Sequence, residues 1–324
     1  RNPIRLAFSL LFSKNPSARS ALWMAAAGLA CWPLDRALSG IENRRLEDAK
    51  PPQQPILLIC GPPRSGTTLV AQYLINRLDV CYLNNLTSIF PNAPLTINRI
   101  FGRKSIRGGG RYSAFYGKSR GLRGVNDALY IWDRWLGHDR RRVPEELELR
   151  AAANMPAFFG ELENLYGKSV VNKVNRLNTC AHLVCDLLPT AYFLFVERDP
   201  FWLAQSLYIA REQIGGDMDS AYGTQHPNSI ADDPVADVCA QVRFHREISQ
   251  SVIAEMPPDR VILVSYENFC RQPAELVRVL RQRIGSGMPE LREPRAPQKE
   301  SFSISRTQKL PDEVLSRMRS LLSH

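Results

Sequence analysis

Short apolar runs, each closed by glycine, proline or a charged pair, alternate along this chain with segments whose apolar residues return at helical spacing. The first clear run is Pro55-Ile56-Leu57-Leu58-Ile59-Cys60, stopped by Gly61-Pro62-Pro63. A run of that length with so abrupt an end predicts a buried strand entering a tight loop. Thr67 to Leu78 then has the spacing of a helix. The alternation recurs as a strand over Ser169–Asn172 and a helix over Thr179–Leu188. It recurs again as a strand over Ala191–Val196 and a helix from about Phe201 to Gln213. A strand over Arg260–Val264 precedes a helix opened by Pro273, at the position where a missing N–H costs nothing. This order predicts an α/β fold, a central parallel sheet of about five strands flanked by helices.

Two segments break the pattern. Residues 99–123 are rich in arginine, lysine and glycine, with Gly108-Gly109-Gly110 at the centre, and residues 214–234 are polar. Long loops inside a domain tend to be lids or binding loops. Residues 1–50 read as two helical pieces ahead of a polar linker, Pro51-Pro52-Gln53-Gln54. The organisation expected is therefore an N-terminal helical extension, 1–50, and a domain, 51–324, with a basic lid or acceptor insertion at about 99–150. The most apolar stretch, Ala21–Leu34, is interrupted by Pro33 and is shorter than the roughly 20 residues that span a bilayer. It lacks the small-residue cleavage pattern of a signal peptide. It reads as a buried or interfacial helix, with peripheral membrane contact through residues 1–40 in reach because Lys14, Arg19 and Arg36 flank it.

A net charge of +10 calls for an anionic partner, and nucleic acid, a membrane surface and a polyphosphorylated nucleotide all fit. The 7 cysteines are odd in number, sit mostly among apolar neighbours and show no zinc-like spacing. They read as buried, reduced thiols of a cytoplasmic protein.

The loop after the first strand, Gly61-Pro62-Pro63-Arg64-Ser65-Gly66-Thr67-Thr68, enters a helix. Such a loop aims backbone N–H groups and the positive end of a helix dipole at an anion. The nucleotide-triphosphatase form needs a lysine where this chain has Thr67, which argues against an ATP or GTP hydrolase. A second anion site is suggested where the strand ending at Glu197 meets Arg198-Asp199-Pro200, with Ser206 in the helix beyond. An arginine leaving a strand end lies at the ligand edge of a parallel sheet, and its planar fork suits phosphate.

These strings resemble the sulfotransferase family that uses 3′-phosphoadenosine 5′-phosphosulfate (PAPS), its bacterial carbohydrate-type members and, in part, its tyrosylprotein branch. The fold implied is the P-loop, nucleotide-kinase-like sulfotransferase fold. Pro63-Arg64-Ser65-Gly66-Thr67-Thr68 resembles the 5′-phosphosulfate loop, which assigns Arg64, Ser65, Gly66, Thr67 and Thr68 to the sulfonate and 5′-phosphate. The strand–Arg-Asp-Pro–serine pattern resembles the 3′-phosphate motif, which assigns Arg198 and Ser206. Arg211 lies on the same helix, one residue out of step with the tyrosylprotein branch. Val264-Ser265-Tyr266-Glu267-Asn268 resembles the family's later strand end, with Tyr266 at the adenine and Glu267 structural. Ser301-Phe302-Ser303-Ile304-Ser305-Arg306 resembles the segment that closes over the donor, with Ser305 and Arg306 as contacts.

Sulfonate transfer needs an acceptor hydroxyl to lose a proton and the leaving phosphate to have its charge stabilised. The resemblance assigns the second task to Lys173, at a predicted strand end, with Arg64 and Thr67 sharing it. For the base, the tyrosylprotein branch has a glutamate where this chain reads Tyr82-Leu83-Asn84-Asn85, which contains no carboxylate. The substitutes are Asp127, which equally reads as a helix cap before Ala128-Leu129-Tyr130, and His138. The basic loop, Arg99, Arg103, Lys104, Arg107, Arg111, Lys118, Arg120 and Arg123, is interleaved with Phe101, Tyr112, Phe115 and Tyr116. It reads as a solvated surface or as a lid over the donor or an anionic acceptor. The acceptor favoured is a hydroxyl of a saccharide or glycolipid, not a nucleic acid. The competing readings are a phosphotransferase and a non-enzymatic binder of 3′,5′-adenosine bisphosphate (PAP).

Overall fold

The run Ile56–Cys60 is buried at all five positions, as the central strand of a sheet covered on both faces must be. The computed structural model describes residues 16–101, 112, 114–115, 118–119, 121–215, 222–228, 232–292 and 299–323. Helix α1 (Pro16–Glu47) leads to β1 (Ile56–Cys60), α2 (Thr67–Arg77), β2 (Cys81–Tyr82), α3 (Asn85–Ile89) and α4 (Pro94–Phe101). A short ribbon, β3 (Ala114–Phe115) with β4 (Lys118–Ser119), is followed by α5 (Leu129–Leu136), α6 (Leu149–Ala152) and α7 (Met155–Tyr166). Then come β5 (Val170–Lys173), α8 (His182–Cys185), β6 (Ala191–Glu197), α9 (Pro200–Ala210) and α10 (Pro234–Ala254). The described chain ends with β7 (Val261–Ser265), α11 (Tyr266–Arg271), α12 (Pro273–Ile284) and α13 (Asp312–Leu322).

The main sheet has the order β2-β5-β1-β6-β7, and every neighbouring pair is parallel. The register sets Ile59 beside Lys173, Cys60 beside Phe195 and Glu197 beside Ser265. The loops after β1, β5, β6 and β7 therefore leave from one edge, with β1 flanked by a strand that follows it on either side. That crevice is where a parallel α/β sheet takes its ligand.

Four strands fall within a residue or so of the expectation; the fifth, β2, pairs at the sheet margin with β5. Two helices differ. The stretch expected as a helix over 179–188 is a 3-10 turn, Asn175–Thr179, followed by the single turn α8. The helix after β6 closes its α-helical hydrogen bonding at Ala210 and continues as a π turn, Arg211–Gly215.

Of the expected N-terminal extension, the described part Pro16–Glu47 is a single helix, with Pro33 inside it on an exposed face where water can take the carbonyl that loses its partner; residues 1–15 lie outside the described residues. One stripe of α1 faces the domain: Ala27, Cys31 and Leu38 pack with Ile89, Phe90 and Ile97. Two acids on that stripe serve α4. Asp35 accepts from the N–H of Asn92 at 2.9 Å and of Ala93 at 3.0 Å. Glu42 accepts from the N–H of Leu95 at 2.9 Å and from the N–H and hydroxyl of Thr96, both at 2.7 Å. Carboxylates at a helix start satisfy its spare N–H groups and its dipole. Burial still pushes the Glu42 carboxyl above its ordinary value, because desolvation outweighs these bonds. The linker is pinned where Gln53 and Gln54 donate to Glu163 Oε2 at 2.9 and 2.8 Å. It crosses α7 at Gly160, where a Cβ would lie 1.7 Å from the Lys50 carbonyl oxygen. The 7 cysteines are all unpaired, and six of them are buried. No helix among the described residues is long and apolar enough to cross a membrane.

The buried His245 of α10 shares Nε2 with the Thr224 carbonyl at 3.2 Å, and burial pushes it down from 6.5 to about 4. The unfolded chain therefore binds a proton on this residue, between those two values, that the folded chain refuses. The stability concerned is intact above the unfolded value and is lost as pH falls toward the folded one, about 3 kcal/mol in all. Urea unfolding from pH 7 to pH 4 should show this slope, and His245→Gln should flatten it; an unchanged slope would place its source elsewhere.

Candidate active site

β1 ends at Cys60, and the chain enters α2 through a turn with three residues at positive φ, Gly61 at 154°, Arg64 at 76° and Gly66 at 103°. For arginine that conformation costs about 1–2 kcal/mol. It is held from β6, because Arg198 Nη1 donates to the Arg64 carbonyl at 2.9 Å. At Gly66 a Cβ would sit 2.3 Å from Cδ2 of the buried Tyr266 ring, so the close approach itself requires glycine. Gly66 is also the first cap residue of α2, and no side chain caps that helix. Its leading N–H groups and positive dipole end are thus presented to the crevice. Ser65 is fully buried, and its Oγ has no hydrogen-bond partner among the described residues. Thr67 Oγ1 lies 3.0 Å from Asn175 Oδ1, and Thr68 is partly exposed on the first turn.

Arg198 leaves the end of β6 with its guanidinium directed at this loop. Besides the bond to Arg64 it donates from Nη2 to the Ser305 carbonyl at 3.4 Å, and it lies 4.9 Å above the Tyr266 ring centroid. Its Nε is buried with no partner among the described residues. Burial pushes its pKa below the ordinary arginine value. The guanidinium's bonds thus go to neutral carbonyls, with one donor left over. Asp199 caps α9 by accepting from Phe201 and Trp202, and Glu267 accepts from the Asp199 N–H at 3.2 Å, a structural role.

Three placements differ from the sequence expectation. Arg64, assigned to the sulfonate end, turns its side chain toward α9 and donates from Nε to Ser206 Oγ at 3.0 Å. The Arg64 side chain thereby links the loop after β1 to α9. Tyr266, expected at the adenine, is 8% exposed and supports Gly66 and Arg198. Burial pushes its phenol up to about 12. Arg211 turns inward, donating to Asp237 at 2.6 Å and Gln241 at 2.8 Å, because α-helical geometry has given way to the π turn there.

The C-terminal segment is a strap across the cleft. Phe302 N–H donates to the Cys270 carbonyl at 2.7 Å, and its ring packs with Tyr73, Tyr112 and Phe269. Gln205 of α9 grips the strap at both ends of its amide, donating to the Thr307 carbonyl at 3.1 Å and accepting from the Lys309 N–H at 2.8 Å. Ser305 meets Arg198 through its carbonyl, whereas Arg306 is exposed. Between strap and α2 lies a cleft of about 500 Å³ walled by Leu69, Tyr112, Lys299, Phe302 and Ser303.

The third group sits at the end of β5. Lys173 Nζ lies 3.2 Å from Asp127 Oδ2, the lysine buried and the carboxylate one-third exposed. Asparagines order the segment that carries the carboxylate. Asn126 Oδ1 accepts from the Ala128 N–H at 2.7 Å and its Nδ2 donates to Asn85 at 2.9 Å, while Trp132 Nε1 holds Asn172 at 2.8 Å. Asn126 thus serves the start of α5, leaving Asp127 to face Lys173. His138 is exposed on the turn beyond α5. Sequence reasoning missed Asn85, Asn126 and Gln205 as positioning groups. It also missed Asn175, although the polar alternation Asn172-Lys173-Val174-Asn175 at a buried strand's end was a visible signal. Of the basic loop, Arg103, Lys104, Arg107, Arg111 and Arg120 lie outside the described residues, and Arg99 pairs with Glu161 at 3.7 Å.

A profile of the sulfotransferase family matches residues 55–290, which span all five strands of the main sheet and every group above except the strap. The chain belongs to the sulfotransferase family and is an α/β sulfotransferase. Among solved structures it is similar to sulfotransferase STF9 from Mycobacterium avium, with a TM-score of 0.53 and 15% identity over 99% of this chain and 81% of that one. It is also similar to sulfotransferase STF1 from Mycobacterium tuberculosis H37Rv, with a TM-score of 0.49 and 11% identity over 99% and 85% of the two chains. No curated protein matches the chain in sequence.

Gly66→Ala tests the loop geometry. Its Cβ would strike the Tyr266 ring at a φ that alanine resists. Urea unfolding should show a loss of about 1–3 kcal/mol; an unaltered midpoint would mean that loop and ring do not pack as described.

Proposed function

We propose that this sulfotransferase takes the sulfonate group of PAPS and passes it to a hydroxyl of a saccharide or glycolipid. The observation that carries the donor assignment is the buried Arg198 guanidinium, which has a spare donor and is bridged through Arg64 to Ser206. That arrangement suits the 3′-phosphate, the group that separates PAPS from ordinary adenine nucleotides. The uncapped start of α2 and the orphaned Ser65 hydroxyl suit the 5′ end. The cleft between strap and α2 sets the rings of Tyr112 and Phe302 beside polar groups of Lys299, Glu300 and Ser301, a mixture that suits an adenine ring.

PAPS supplies a sulfonate already activated by its phosphate leaving group. Around it, the loop N–H groups, Thr67 and Thr68 orient the anion, and Lys173 neutralises charge that grows on the departing phosphate oxygen. Asp127 takes the proton from the acceptor hydroxyl. Lys173 holds that carboxylate in place at 3.2 Å while its open side faces solvent. Arg64 spans both ends of the donor. Arg306 of the strap closes over it from outside. The thiols, all unpaired, suit a cytoplasmic location. A glycolipid acceptor sets the enzyme at a membrane surface, with α1 as its contact. Helix α1 packs on the β3–β4 ribbon and on α3. Asn85 of α3 is hydrogen-bonded to Asn126, next to the proposed base.

Two measurements test the reading. By calorimetry, Arg198→Ala should weaken PAP by at least about tenfold more than it weakens adenosine 5′-phosphate; equal losses would remove Arg198 from the 3′-phosphate. In a turnover assay with radiolabelled donor and a saccharide library, Asp127→Asn should lower kcat by about 10²–10⁴ with PAP affinity within a few-fold of wild type. Full activity in that variant would eliminate Asp127 as the base.

A further inference from the structure

Helix α1 has two sides of opposite character. The side toward the domain is occupied by Ala27, Cys31 and Leu38 and by the capping acids Asp35 and Glu42. The other side, over 23–34, is apolar and open to solvent. Trp23 is 76% exposed, Leu29 81%, Trp32 55% and Leu34 53%. Ala25, Ala26, Ala30 and Pro33 lie exposed between them. From Ala21 to Leu34 the sequence holds no charged residue. Large aromatic and aliphatic side chains contiguous on a surface mark an interaction site rather than the scatter normal for a monomer.

The charges bordering this face choose the occupant. Arg36 follows directly, with its guanidinium 5.8 Å from the Trp32 ring centroid. Arg44 is exposed further along, whereas both acids of this stretch are turned into the domain. The exposed Glu47 comes roughly 20 Å beyond Leu34 along the axis. An apolar end, two tryptophans and a cationic border describe a helix lying in the interface of an anionic bilayer, apolar face among the acyl chains and arginines at the headgroups. The apolar stretch covers only about 21 Å along the axis, short of the roughly 30 Å hydrocarbon layer, so it lies in the surface and does not cross it.

We infer that the Trp23–Leu34 face of α1 is a docking surface for anionic membranes. The inference deepens the membrane contact of the preceding reading and uses none of its donor chemistry. Flotation of the full chain with vesicles of phosphatidylcholine, alone or with about 30% phosphatidylglycerol, tests it. Binding to the anionic vesicles should be at least about tenfold tighter than to the neutral ones, weaken with salt and shift tryptophan emission to the blue. The triple variant Trp23→Gln, Leu29→Gln, Trp32→Gln changes only exposed positions. It should keep its thermal midpoint and lose at least about tenfold in vesicle affinity. Arg36→Glu should erase most of the preference for anionic lipid. Absence of vesicle binding overturns the inference, as does equal binding by wild type and the triple variant. So does a wild-type dimer that the triple variant abolishes, which would assign the face to a second copy of the chain. PAP affinity, measured separately by calorimetry, is expected unchanged in the variants, so failure here leaves the donor assignment standing.

Discussion

One hydrogen bond ties the active-site edge together: Arg198, leaving β6, holds the carbonyl of Arg64 in the loop that leaves β1. Adjacent parallel strands in register bring the two loops within one side chain of each other. The bond then secures a backbone conformation that arginine adopts at a cost. With that carbonyl turned to Arg198, the Arg64 side chain is sent along the sheet edge to Ser206, and Gly66 is set against Tyr266. Tyr266 in turn lies beneath Arg198. A loop, a strand end and a helix from three separate parts of the chain thus support one another, with Ser65 Oγ and Arg198 Nε buried among them without partners among the described residues.

The second centre, Lys173 with Asp127, depends on a different kind of support. Its flanking segment is ordered by amides. Asn126 bonds to the buried Asn85 and Asn172 and to the start of α5. In a low-dielectric interior a satisfied network fixes geometry, whereas an unsatisfied one would be costly. The same bonds lead outward to α3 and so to α1, whose inward acids cap α4. The helix at the surface and Asp127 are therefore parts of one packed unit.

Much of this was legible before any coordinates. The five-residue run Ile56–Cys60 and the turn behind it specify a central strand and its loop, because burial on both faces demands an unbroken apolar string and the reversal demands glycine and proline. Ser65, Gly66 and Arg198 stood out through their resemblance to the family's motifs. Where local signals compete, reading failed. Residues 179–188 have helical spacing but form only turns.

What the sequence by itself determined is the set of elements whose causes are local: strand runs, the anion loop, the arginine at a strand end. Only the tertiary structure decided that Arg64 reaches Ser206, that Tyr266 supports rather than stacks, that Arg211 turns inward to Asp237, and that Asp127 meets Lys173 across 46 residues of chain. It also decided which side of α1 is left uncovered. Those outcomes depend on which distant side chains share a neighbourhood, and that follows from strand order and register, which no single segment encodes.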